Sequence, residues 1–104
     1  SVLVGAGGVF VEVLKDVKLA AAPVSTAQAK SMIQSLKTFP LLDGARGRPK
    51  ADLMALSDIV HRVSLLAAHL GPRLKELDVN PVIVRAAGEG ALAVDARAVW
   101  NIME

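Results

Sequence analysis

The chain has 104 residues, enough for one domain with one modest core. It is mildly basic, with net charge +2 and a pI near 9.3, and only 3% aromatic. With no stripe of Lys and Arg, this composition suits a phosphate-bearing ligand and argues against nucleic-acid binding. Cysteine is absent, which excludes a disulfide framework and a cysteine zinc cluster and fits a cytoplasmic protein.

Residues 2–4 (VLV) and 9–14 (VFVEVL) are β-branched runs on either side of Gly5-Ala6-Gly7-Gly8, a pattern of strand, glycine turn, strand. Phe10, Glu12 and Leu14 fall on one side of the second run, and Glu12 faces either a cleft or solvent. Residues 17–24 read as a further strand, ended by Pro23. Ser25 and Gln28 form a capping box, and Ala29, Met32, Ile33 and Leu36 recur at helical spacing, so a helix is expected over 26–38, stopped by Pro40. The loop 41–52 holds two Gly, one Pro, two Arg and two Asp, and its last residue, Asp52, caps the next helix. Leu53, Leu56, Val60, Val63, Leu66, Ala67 and Leu70 give that helix its apolar stripe, and Gly71-Pro72 ends it. His61 and His69 fall off the stripe and read as surface residues.

Residues 74–85 read as a strand, 86–90 as a turn and 91–95 as a return strand. The last residues, 96–104, read as a short helix or a frayed tail. The fold class is α+β, a mixed or antiparallel sheet with two main helices on one face. Hydrophobic residues make up 53% of the chain and mean hydropathy is +0.46, more apolar side chain than a lone domain of this size needs. The longest apolar helix candidate, 63–70, is shorter than the roughly 18 residues of a membrane span. The first residues lack the charged and apolar regions of a signal peptide and open in a strand-like run. A lobe of a larger assembly is therefore expected, with no membrane partner. Its orphaned apolar face offers a route to a homodimer.

Within 74–85, alternation places Asp78, Asn80 and Val82 on one face and Leu77, Val79 and Pro81 on the other. If Arg85 pairs with Gly90 across a four-residue turn, the same register puts Asn80 opposite Asp95. Directly opposed residues have Cβ atoms about 5 Å apart, so the oxygens of Asp78, Asn80 and Asp95 converge. These are hard ligands of the kind Mg²⁺ takes. A one-residue slip would send Asp95 to the other face. Two readings stay open from spacing alone: a metal corner, or a solvated face with Asp78 paired to Lys75 or Arg97.

The strings GGVFVEVLKDV (7–17), Pro23, LDGARGRP (42–49) with Asp52, ELDVNP (76–81) and VDAR (94–97) occur in order over nearly the whole chain. Together they resemble the nucleotide-binding domain of NDP-forming acyl-CoA synthetases, with succinyl-CoA synthetase β subunits as more distant relatives. The resemblance implies an ATP-grasp fold, of which residues 1–104 are the C-terminal lobe alone, inactive without the rest of its chain. It implies acyl-CoA formation from a carboxylic acid and CoA, coupled to cleavage of ATP (or GTP) and routed through a phosphohistidine on another domain. The implied partners are the other ATP-grasp lobe and the CoA-binding and phosphohistidine domains. By the same resemblance Asn80 and Asp95 hold Mg²⁺ on the nucleotide phosphates, and Asp78 stands beside them. Gly7 and Gly8, with Gly5, form a turn that either offers backbone N–H groups to a phosphate or is only tight. Arg46 either contacts phosphate or an acidic partner, or pairs with Asp43 or Asp52. A rival reading keeps the fold without the turnover, as a regulatory or interaction lobe of a protein acyltransferase fusion.

Overall fold

The structure, a computed structural model, describes residues 1–6 and 17–102. The expected strand over 9–14, with Glu12, and the turn glycines Gly7 and Gly8 lie outside the described residues. Strand β1 (Val2–Gly5) pairs antiparallel with β2 (Val17–Ala20), Val2 opposite Ala20 and Gly5 opposite Val17. Helix α1 (Thr26–Gln34) starts at the expected capping box: the Gln28 N–H donates to Ser25 Oγ at 3.0 Å and the Ser25 N–H donates to Gln28 Oε1 at 2.9 Å.

Helix α1 stops four residues before the expected end. The Ser35 hydroxyl donates to the Ser31 carbonyl at 2.7 Å, and the chain tightens into a turn through Leu36. Pro40 does not end α1; it sits in the first turn of a separate short helix, α2 (Phe39–Leu42), where its missing N–H has no partner to lose. Helix α3 (Leu53–Leu70) begins at the Asp52 cap, with the Ala55 N–H on Asp52 Oδ1 at 3.1 Å, and ends at Gly71 as expected.

The core sits between α1, α3 and the β1–β2 ribbon. Val24, Ala29, Ile33 and Val60 are buried, with Val2, Val4, Phe39, Leu53 and Leu56 packed around them. The buried face of α3 differs from the expected stripe: its most buried positions are Ser57, Val60 and Ser64, while Leu65 and Leu66 are exposed. The reason is polar. Val24, next to the exposed Pro23, is buried in the core with both backbone groups needing partners. Its N–H donates to Ser64 Oγ at 3.0 Å, and its carbonyl accepts from His61 Nδ1 at 2.6 Å, which fixes the proton on that nitrogen. His61 is thus half-buried and structural, not a surface residue, whereas His69 is exposed as expected.

The full span of α3 also corrects the expected length of the apolar segment. Residues Leu53–Arg73 are long and apolar enough to cross a membrane by length and composition. Here the helix packs along α1, and its charged Asp58 and Arg62 pair at 2.9 Å.

After the turn at Gly71–Arg73 come β3 (Leu74–Val79), β4 (Val82–Val84), β5 (Ala91–Ala93) and β6 (Ala96–Trp100). Among the described residues every ladder is two-stranded and antiparallel, so the antiparallel expectation holds and a single continuous sheet is not what forms. Ladders β4–β5 and β3–β6 are successive stretches of one long hairpin. The same register runs from Val84 opposite Ala91 to Glu76 opposite Val99, with a shift beyond Glu76. The ladder breaks at Pro81, which has no N–H to donate. Residues 96–100 are β6, not the expected helix or tail: they supply the hydrogen-bonding partner that β3 requires.

Candidate functional site

The four-residue turn is present: the Arg85 N–H donates to the Gly90 carbonyl at 3.0 Å. Its left-handed residues are glycines, Gly88 at φ 83° and Gly90 at φ 86°, which no bulkier residue adopts cheaply. Asn80 then lies opposite Asp95, and the Asn80 N–H donates to the Asp95 carbonyl at 3.0 Å. Two residues further on, Asp78 stands opposite Arg97, which makes Asp95 its diagonal neighbour. Opposed Cβ atoms are about 5 Å apart and diagonal ones about 7–8 Å. By this register Asn80 and Asp95 are the directly opposed pair, and Asp78 is the diagonal neighbour of Asp95.

Asp78, Asn80 and Asp95 are all exposed. One Asp95 oxygen, Oδ1, accepts the Ala96 N–H at 2.9 Å, which leaves Oδ2 open. Asp78 makes no ion pair with Lys75 or Arg97. Among the described residues no three His, Cys, Asp or Glu side chains gather into a metal cluster. The corner offers two carboxylates and an amide oxygen. That donor set fits Mg²⁺, which takes one or two protein carboxylates and leaves its other positions to water and phosphate.

One expected neighbour is corrected. Exposure alternates in phase from Leu77 to Asn80, with Leu77 and Val79 half-buried, and changes phase across Pro81, so that Val82 and Val84 are half-buried instead. Val82 therefore does not share the exposed face of Asp78 and Asn80. Ile83 takes that place, opposite Leu92, both about half exposed. Ile83 and Leu92 thus form an exposed apolar pair on the hairpin.

Arg46 is exposed and holds a left-handed backbone at φ 58° within a short turn, Ala45–Gly47. It pairs with neither acid proposed for it. Asp43 meets Lys50 at 3.9 Å, and the Asp52 carboxylate is taken by backbone N–H groups. A nearby hollow is lined by Leu41, Pro49, Ala51 and Val84, with Arg48 and Arg85 as its cations.

Asp52 is the residue whose full role spacing did not reveal. Oδ1 caps α3, and Oδ2 accepts the N–H groups of Gly88 at 3.1 Å and Gly90 at 2.9 Å. The Ala55 N–H first and the Gly90 N–H next hold this carboxyl below its usual value near 3.8; desolvation pushes the other way, and the Gly88 N–H adds the least to the lowering. A cap at a helix start is legible in sequence; a bond 36 to 38 residues away is not.

The sequence pattern of the ATP-grasp domain family matches residues 1–99. The beta subunit of acetate–CoA ligase (ADP-forming) II from Pyrococcus furiosus is 45% identical over 97 residues, 93% of this chain and 41% of that protein. The 4-hydroxybutyrate–CoA ligase (ADP-forming) of Nitrosopumilus maritimus is 44% identical over 96 residues, 92% of this chain and 14% of that protein. Among solved structures, acetyl-coenzyme A synthetase 1 of Ca. Korarchaeum cryptofilum, in complex with coenzyme A and Mg-AMPPCP, aligns with a TM-score of 0.85 at 37% identity, over 95% of this chain and 45% of that one. The chain thus spans less than half the length of each of these relatives. With the family pattern covering the ribbon, both long helices and the hairpin up to Val99, the chain belongs to the ATP-grasp domain family.

Proposed function

We propose that residues 1–104 are the C-terminal lobe of the nucleotide-binding domain of an ADP-forming acyl-CoA synthetase, a cytoplasmic acid–thiol ligase. Such an enzyme joins a carboxylic acid to CoA while ATP is cleaved to ADP and phosphate. The observation that supports the reading is the hairpin register, in which the backbone N–H of Asn80 donates to the carbonyl of Asp95, so that the two residues stand opposite each other. Similarity to ADP-forming ligases supports it, as does a structural neighbour holding Mg-AMPPCP with a phosphohistidine segment pointing towards its nucleotide-binding site.

Asn80 and Asp95 would hold Mg²⁺, with Asp78 completing or tuning the set. Bound there, the ion supplies charge neutralisation and orientation of the nucleotide phosphates. The chain's own contribution is placement: Asp95 Oδ2 and the Asn80 amide oxygen stand on facing strands, and the Ala96 N–H holds Asp95 Oδ1. Arg46, exposed and without an ion pair among the described residues, is suited to a phosphate oxygen or an acidic partner segment. Gly7 and Gly8 remain proposed phosphate neighbours through their N–H groups. The remaining ATP-grasp lobe and the CoA-binding and phosphohistidine domains are the proposed partners, with the acyl acid and CoA as substrates of the whole enzyme.

The test is Asp95→Ala in the full-length protein. Partners standing behind metal ligands already cost about 10–100-fold in affinity or activity, so loss of a direct ligand lowers Mg²⁺-dependent nucleotide turnover by about 100-fold or more. The thermal unfolding profile stays put, because Asp95 is exposed. Turnover at the wild-type level in that variant rules out the site.

A further inference from the structure

The hairpin that carries Asn80 and Asp95 has a weakly specified register. Its inner ladder pairs Val82-Ile83-Val84 with Ala91-Leu92-Ala93, only three residues a side and apolar on both faces. Ile83 and Leu92 are about half exposed on one face, while Val82 and Val84 are half-buried on the other. Because both faces carry apolar side chains and differ only in degree of burial, three pairs alone choose weakly between pairings one residue apart. A slip by one residue would still pair apolar with apolar residues in this ladder, but would turn the Asp95 side chain to the other face from Asn80. The β3–β6 ladder shares this register at the far end, and a restraint at the tip would fix it at the near end.

We propose that Asp52 is a positioning residue for the Asn80–Asp95 corner: by taking the N–H groups of Gly88 and Gly90 on one carboxylate oxygen, it sets the hairpin register that brings Asp95 opposite Asn80. The proposal rests on the functional reading above for what the corner holds, but not for the register itself. Oδ2 of Asp52 reaches both glycine N–H groups, at 3.1 and 2.9 Å, across a tip in which both glycines are left-handed. A tip one residue longer or shorter would not present both N–H groups to one oxygen.

The carboxylate is itself fixed on both sides. Oδ1 is held by the Ala55 N–H at the start of α3, and the Asp52 N–H donates to the Arg85 carbonyl at 2.7 Å. The Ala87 N–H donates to the Lys50 carbonyl at 2.8 Å, so residues 50–52 lie alongside 85–87. The tip is therefore measured from α3, and the register of the strands below follows from it.

Cap and clamp can be separated. Asp52→Ser keeps a hydroxyl of the right length for the Ala55 N–H and has no second oxygen for the glycines. Asp52→Asn keeps the cap oxygen and turns an NH₂ group toward them, a second route to the same loss should the serine variant fold poorly. The experiment uses the full-length protein, with any cysteines beyond these residues replaced. Paired cysteines at Ile83 and Leu92 report the register by oxidative cross-linking, since opposed strand positions have the Cα separation a disulfide accepts. In the Asp52 variants the Ile83→Cys/Leu92→Cys cross-link loses yield and Ile83→Cys/Ala93→Cys gains it. The Mg²⁺ concentration for half-maximal nucleotide turnover rises about 10-fold, while turnover at saturating Mg²⁺ changes far less. Wild-type cross-linking in both variants overturns the proposal, and so does a shifted register with an unchanged Mg²⁺ requirement. If the protein with Asp52 intact needs no Mg²⁺ at all, the functional reading fails and the cross-links alone decide the register.

Discussion

Ser64→Ala tests the polar joint between the ribbon and the helices. Ser64 is fully buried, and its hydroxyl accepts the N–H of Val24, itself 1% exposed. Alanine removes that acceptor and leaves the Val24 N–H buried and unpaired, which costs about 1–3 kcal/mol. The same change improves helix propensity by about 0.5 kcal/mol and releases a bond from Ser64 to the His61 carbonyl that competes within the helix. The net expectation is a loss of about 1.5 kcal/mol, or roughly tenfold in the folding equilibrium. Urea denaturation of wild type and variant measures it, and hydrogen exchange at the Val24 amide locates it. Because His61 Nδ1 still holds the Val24 carbonyl, the segment stays in place while this one amide loses protection. Stability within about 0.5 kcal/mol of wild type, the size of an ordinary surface substitution, with an undiminished Val24 amide would refute the account.

Asp52 is held below its usual value near 3.8, so its ionised form favours the fold. That contribution is complete above 3.8 and is lost as the pH falls through the lowered value; Asp52→Ala flattens this part of the acid-denaturation curve, and an unchanged curve would show that the three N–H contacts count for little. Arg46→Gly relieves a left-handed residue that costs about 1–2 kcal/mol and gains unfolded-chain freedom worth about 0.5–1 kcal/mol, so the melting temperature holds or rises slightly. On the proposed function, the same variant lowers nucleotide turnover of the full-length protein, and unaltered turnover removes Arg46 from the site.

Where a feature depends on residues close in sequence, or on a turn of fixed length, it was legible. The capping box at Ser25, the stop at Gly71 and the pairing of Asn80 with Asp95 all emerged from local spacing. The features missed depend on what lies across the molecule. Nothing near Ser64 or His61 signals that both would serve Val24, 40 and 37 residues away, so the apolar stripe placed the buried face of α3 one step round from where it lies. Pro40 read as a stop signal, yet proline also starts helices, and here the helix before it had already ended at Ser35. The last residues had too little alternation to read as a strand; β6 forms because β3 needs a partner. The exposed face of the hairpin was right at Asp78 and Asn80 and wrong at Val82, because the alternation changes phase at Pro81.

The tip of a surface hairpin is ordinarily where a chain absorbs an extra residue without harm. This tip is not free to do so. Two of its N–H groups are committed to one oxygen of a residue at the head of α3, 36 to 38 positions earlier. One residue inserted between Ala87 and Gly90 would break that arrangement and carry its effect down the strands to Asp95. The loop length at 86–89 is thus tied to the two hydrogen bonds on Asp52. Among relatives sharing this corner, variation in the tip is expected as substitution, not as gain or loss of residues.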